Sequence, residues 1–196
     1  MAAGPALDCN GEADVVLAIP ASRTQVPQSE FDLYEDFLID MVNYYTVKKD
    51  RTNVGLIIYG SEPMVMNGLM PSLNKRDIFT RISLMAQREL YHFMAEGSNV
   101  VKAMDSIIKL HTDSKRKVPK IGVILTYGSD DLSGITNMAI RGAVMKAGER
   151  ARAAGITMFA TSPLKLTGLQ SPSDKRAQPL WSKHTKGNRF FMQKIS

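Results

Sequence analysis

The chain has 196 residues, 44% of them hydrophobic and 22% charged, with a formal net charge of +6 and one cysteine. That length suits one domain, able to bury about 70% of its unfolded surface. No apolar run approaches the roughly 20 residues that span a bilayer, and a lone cysteine excludes an internal disulfide and a cysteine-based zinc site. The opening Met1-Ala2-Ala3-Gly4-Pro5 has neither the basic nor the apolar region of a signal peptide. Cys9 is either an unpaired thiol or a partner for a cysteine outside these residues.

The isoelectric point near 9.4 favours acidic partners. The surplus charge falls in short groups: Lys48-Lys49-Asp50-Arg51, Lys115-Arg116-Lys117 with Lys120, Lys175-Arg176, and Lys183 to Arg189. No RNA-binding signature or zinc finger accompanies them, so neither nucleic-acid binding nor membrane insertion is expected. Lys115, Arg116, Lys117 and Lys120 are the densest group and the candidate contacts for a polyanion such as a sulfated polysaccharide.

In chain order, Asp14 to Ile19 is an unalternating apolar run, which suits a strand buried on both faces of a parallel sheet, and Pro20 ends it. From Ser29 to Tyr45 the apolar residues recur at three- and four-residue steps, predicting a helix with Ser29 as N-cap. Asn53 to Tyr59 is a second buried strand, and Met64-Val65-Met66 behind Pro63 reads as an antiparallel edge strand. Asn74 caps a helix through Ile78, Ile82 and Met85; the run Arg88 to Glu96 is irregular or briefly helical; a further helix carries Val101, Met104, Ile107, Ile108 and His111. Ile121 to Tyr127 is a buried strand, residues 136–154 a helix with Gly155 at C′, and Ile156 to Ala160 another strand. A loop from Ser162 to Pro172, a short helix near 174–182 and a last strand at 188–192 complete the order. The prediction is an α/β fold: a doubly wound, mostly parallel six-stranded sheet with one antiparallel edge strand and helices on both faces. An N-terminal extension, 1–12, precedes a single domain, 13–196.

In open α/β sheets, ligands bind at the carboxyl ends of the strands, where Ser22 and Thr24 follow the first strand. No glycine-rich phosphate loop is present there, Gly128-Ser129-Asp130 lacks the glycines of a nucleophile elbow, and His92, His111 and His184 have no metal-ligand spacing. No constellation supports an enzyme. Met64, Met66, Met70, Met85 and Met94 read as core and gap filling.

Five stretches, taken in order, resemble a von Willebrand factor type A domain, the fold shared with the inserted domains of integrins. They are residues 13–22, Thr52 to Tyr59, Gly97-Ser98-Asn99, Lys120 to Gly128, and Ala154 to Ala160. The family carries a metal-ion-dependent adhesion site: Asp-x-Ser-x-Ser after strand one, a Thr before the third helix and an Asp after strand four. Carried over, these positions fall on Pro20, Ser22, Thr24, Ser98 and Tyr127. The hydroxyls persist in kind and both carboxylates are gone, leaving Ser22, Thr24, Ser98, Tyr127 and Ser129 as candidate ligand-binding residues with no metal among them. Neutral hydroxyls do little to offset the dehydration of Mg²⁺. No cofactor is therefore expected, with Mg²⁺ the alternative should Asp130 or Asp131 complete the site.

The resemblance implies a non-catalytic protein-binding or adhesion module of an extracellular matrix-type protein, metal-independent, with collagen or an acidic polymer as partner. The alternative is an intracellular scaffold subunit, favoured by the missing signal peptide and the lack of any Asn-x-Ser/Thr sequon. Cys9 favours the secreted reading, because secreted family members often carry a cysteine just ahead of strand one. The family usually closes with a helix after the last strand; residues 193–196 do not supply one.

Overall fold

The computed structural model describes residues 11–21, 28–86, 99–126, 138–164 and 189–195. Its sheet has six strands in the order β3-β2-β1-β4-β5-β6. These are β1 (Ala13–Pro20), β2 (Thr52–Tyr59), β3 (Pro63–Asn67), β4 (Lys120–Leu125), β5 (Ile156–Leu164) and β6 (Arg189–Ile195). Four helices are described: α1 (Gln28–Asn43), α2 (Lys75–Ala86), α3 (Val100–Asp113) and α4 (Met138–Ala153).

β1 is central and pairs in parallel with β2 and β4, as its doubly apolar character requires. All eight of its residues are buried. The pleat sends Val15, Leu17 and Ile19 into a core shared with Phe31, Tyr34, Leu38 and Val42 of α1 and with Ile78, Ile82 and Met85 of α2. Val16 and Ala18 face the opposite core, built from Val100, Ala103, Met104 and Ile107 of α3 and Val144, Ala147 and Ala151 of α4. Each fully buried aliphatic side chain contributes roughly 1.5–3 kcal/mol, so β1 is the strand on which both cores depend.

On the α3 face, Val16 stands in register between Gly55 of β2 and Gly122 of β4. A Cβ at Gly122 would lie 2.7 Å from Ile107 Cγ2 and 2.4 Å from Met158 Sδ; one at Gly55 would lie 3.6 Å from Leu110 Cδ1. The two glycines form a shallow trough that lets α3 sit close on the sheet.

Local signals account for several helix ends. Asn74 Oδ1 accepts from the Asp77 N–H (3.1 Å), while Asp77 Oδ2 accepts from the Asn74 N–H (2.9 Å), a reciprocal cap for α2. Asn99 Oδ1 accepts from the Lys102 N–H and caps α3. Gly155 has φ of 71° after α4, the left-handed turn that glycine adopts without a Cβ penalty.

The structure corrects four expectations. Both edge strands are antiparallel: β3 against β2, and β6 against β5. β5 continues through Ser162 and Pro163, which sequence reading assigned to a loop. Its partner β4 ends at Leu125 opposite Thr161, so beyond that point β5 has no described strand on that flank that would need the missing proline N–H. α1 starts at Gln28, placing Ser29 inside the helix rather than at its cap. Met64 and Met70 are exposed, with Val65, while Met85 is buried. The β3 edge that Met64 and Val65 occupy is blunted by Pro63, by a register shift at Leu56 and Ile57 of β2, and by Arg81, whose guanidinium donates to Met66 O (3.1 Å). The stretch 88–96, Met94, and the predicted helix near 174–182 lie outside the described residues.

Candidate functional site

The carboxyl edge of the parallel strands is where the candidate residues were expected. Ser22, Thr24, Ser98, Tyr127 and Ser129 themselves, with Asp130 and Asp131, lie outside the described residues. Their chain neighbours are described, and they converge. Ala21, before Ser22, donates its N–H to Tyr59 O (2.8 Å), and Asn99, after Ser98, donates to the adjacent carbonyl, Gly60 O (2.8 Å). Thr126, before Tyr127, donates its N–H to Thr161 O (2.8 Å). The three loop roots thus meet at the ends of β1, β2 and β4.

Two tyrosines tie this edge together. Pairing between β1 and β4 stops at Ala18 and Ile124, and Pro20 at the end of β1 has no N–H to offer. The Tyr59 hydroxyl, from β2, donates across β1 to Leu125 O. The Tyr34 hydroxyl, from α1, donates to Thr126 O from the other face (3.1 Å). Both tyrosines are fully buried, and an unsatisfied carbonyl there would cost about 1–3 kcal/mol. Neither tyrosine was singled out from sequence. The signal was the proline ending β1, which leaves the next strand's carbonyls short of donors.

Described residues at this edge supply little that would hold a divalent cation. Pro20, in register with Tyr59, carries no oxygen on its side chain. Glu62, on the turn after β2, is ion-paired with Lys102 of α3. Among the described residues no group of three or more His, Cys, Asp or Glu side chains is placed to bind a metal.

The opposite edge holds the basic candidates. Lys115 and Lys117 are exposed, whereas Arg116 and Lys120 are half-buried and engaged. Arg116 Nη1 pairs with the buried carboxylate of Asp14 (2.5 Å), and its Nη2 donates to Arg51 O (2.7 Å). Ser114 Oγ donates to the other Asp14 oxygen (2.6 Å). Lys120 Nζ donates to His111 O (2.8 Å), satisfying a carbonyl in the last turn of α3.

His111 is buried beneath this edge, its Nε2 bonded to Ile121 O (3.0 Å) and its Nδ1 without a partner. It is structural, while His92 and His184 lie outside the described residues. Burial holds its pKa below the ordinary histidine value; the bond to Ile121 O and the charge of Asp14 act upward, and Lys120 acts downward. A depressed folded-state value means the unfolded chain binds this proton more readily. Stability is therefore complete above the unfolded value of about 6.5 and is lost as pH falls below it toward the folded value. Urea unfolding at pH 7.5 and 5.0 should show a lower midpoint in acid, and His111→Gln should shrink that difference. An unchanged difference in the variant would remove His111 from the account.

The chain is 25% identical over 178 residues to the collagen alpha-6(VI) chain of Homo sapiens, which covers 89% of this chain and 7% of that one. Proximal thread matrix protein 1 of the mussel byssus has a similar fold, with TM-score 0.61 and 18% identity over 79% of this chain and 36% of its own. A structure of that mussel protein has a zinc-occupied MIDAS motif. The manganese-loaded TRAP protein of Plasmodium vivax gives TM-score 0.61 at 15% identity, over 78% of this chain and 57% of its own. This chain spans well under two thirds of each of these proteins, and at such identities the structural likenesses speak to the fold. The sequence matches the von Willebrand factor type A domain over residues 14–195, and the chain belongs to that family.

Proposed function

We propose that this domain is a non-catalytic binding module of an extracellular matrix-type protein, engaging a protein ligand such as a collagen without a divalent cation. The observation that carries the reading is the carboxyl edge of β1: Pro20 stands in register with Tyr59, whose hydroxyl is committed to Leu125 O. A partner carboxylate would find hydroxyl and backbone donors here in place of a metal. Similarity to a collagen VI chain and to a byssus matrix protein supports the matrix setting and the location outside the cell. Ser22, Thr24, Ser98, Tyr127 and Ser129 are proposed to line the ligand face; each carries a hydroxyl able to donate or accept and lies within three residues in sequence of Ala21, Asn99 or Thr126 at this edge.

Surface plasmon resonance of the full chain over immobilised collagens tests this. Binding is expected to be equal with Mg²⁺ and with a chelator, and to weaken in Ser22→Ala with Ser98→Ala. Binding abolished by the chelator would overturn the metal-free reading, and no binding to any collagen would overturn the ligand class.

A further inference from the structure

Two basic groups, Lys48 to Arg51 and Lys115 to Lys117, meet in the fold, although the residues that join them, Arg51 and Arg116, are 65 positions apart in sequence. Arg116 Nη2 reaches Arg51 O at 2.7 Å, and the same guanidinium holds Asp14 at the start of β1. This places the turn at 48–51 beside the loop at 115–117, at the amino-terminal edge of the sheet. Lys48, Lys49, Arg51, Lys115 and Lys117 are all exposed there. Asp14 is neutralised internally, and Glu12 lies 3.9 Å from Arg116, leaving Asp50 as the exposed acid of these two loops.

We propose that these two loops form one composite binding face for a linear sulfated polysaccharide. Arg116 is its internal strut rather than a contact, because its charge is already met by Asp14. The chemistry favours this polyanion over others. Lysine ammonium groups act as point charges on flexible stems and suit separated sulfates. The loops at 48–51 and 114–120 contain no aromatic residue on which a nucleic-acid base could stack. The exposed large apolar side chains among the described residues, Met64, Val65, Met70, Leu84 and Met145, all lie on other segments, so nothing on these loops would enter a bilayer.

The face is independent of the proposed ligand edge. β1 runs eight residues between the two edges, a rise of roughly 25 Å. That is about three Debye lengths at physiological salt, so the charges of one edge are screened from the other.

Heparin is the probe, measured by calorimetry and by elution from a heparin column. Lys48→Ala with Lys49→Ala, and separately Lys115→Ala with Lys117→Ala, should each weaken heparin binding about tenfold, and the quadruple variant about a hundredfold, with a shallower salt dependence. Lys146→Ala on α4 is the surface control and should change nothing; unaltered circular dichroism and thermal midpoint confirm folding. Desulfated heparin should bind weakly. Four results would overturn the proposal: a quadruple variant that binds heparin like the parent, an effect confined to one loop, equal binding of desulfated heparin, or tighter binding to duplex DNA or phosphatidylserine vesicles. Collagen binding should be the same in the quadruple variant, so failure of the ligand-edge reading and failure of this one are read from different assays.

Discussion

Asp14→Ala should destabilise the fold by about 3 kcal/mol, near the lower end for breaking a buried ion pair. Asp14 is fully buried, and its two oxygens take the Arg116 guanidinium and the Ser114 hydroxyl. The Arg116 side chain retains 23% exposure, so water compensates part of its loss and holds the effect below the upper limit. The consequence extends beyond the pair, since Arg116 also donates to Ala13 O and Arg51 O and so joins the starts of β1 and β2 to the loop after α3. Asp14→Asn keeps an acceptor for Ser114 and should cost less than Asp14→Ala. Arg116→Lys keeps the charge but cannot span three acceptors from one planar fork, so it should fall between parent and Arg116→Ala. A double-mutant cycle on Asp14→Ala and Arg116→Ala by urea unfolding should give coupling of about 1.5–3 kcal/mol. A cost below about 1 kcal/mol for Asp14→Ala would show that the pair is not a structural tie.

Gly122→Val carries the other large expected effect, a loss of about 3 kcal/mol or more, with Gly122→Ala at about 1–3 kcal/mol. The cause is space rather than backbone freedom. The added Cβ would stand 2.4 Å from Met158 Sδ and 2.7 Å from Ile107 Cγ2, both below any real contact distance. Met158 can swing its flexible thioether, but Ile107 is β-branched on a packed helix and has little room to turn. α3 would be lifted from the sheet, loosening Met104 and Val100 with it. Gly55→Ala meets its nearest side chain, Val16 Cγ2, at 3.2 Å and should cost less than Gly122→Ala. Thermal denaturation of the three variants should rank them in that order. Equal stability of Gly55→Ala and Gly122→Ala would mean that α3 does not seat in the trough.

The sequence made some of this legible. Val15 to Ile19, Val54 to Tyr59 and Ile121 to Leu125 are apolar on both faces, a pattern that suits a strand buried in a parallel sheet, and these three strands are neighbours. Asn74 and Gly155 announce helix ends through local chemistry that tertiary context does not alter. The direction of β6 was not legible, because it is set by how the chain returns after β5 and not by the composition of residues 189–195. Pro163 was misread for a related reason: whether a proline breaks a strand depends on whether a neighbour needs its donor.

At the candidate site, that positions 20 and 127 carry no carboxylate is plain in the sequence, but the hydrogen bonds of Tyr34 and Tyr59 at this edge are not. Tyr34 and Tyr59 looked like apolar positions of a helix and a strand. Their hydroxyls matter only because β1 and β4 part company at Ala18 and Ile124. Similarly, Lys115, Arg116, Lys117 and Lys120 form one group in sequence but divide in the fold, two exposed and two bonded inward. Spacing shows where charge is dense, whereas burial decides which charges are left to meet a partner.

Calorimetric titration of the full chain with Mn²⁺ tests the metal-free reading most directly. No saturable uptake is expected up to millimolar concentration, and uptake is created only when Pro20→Asp and Tyr127→Asp are introduced together. Saturable uptake by the parent chain that disappears in Ser22→Ala would contradict it.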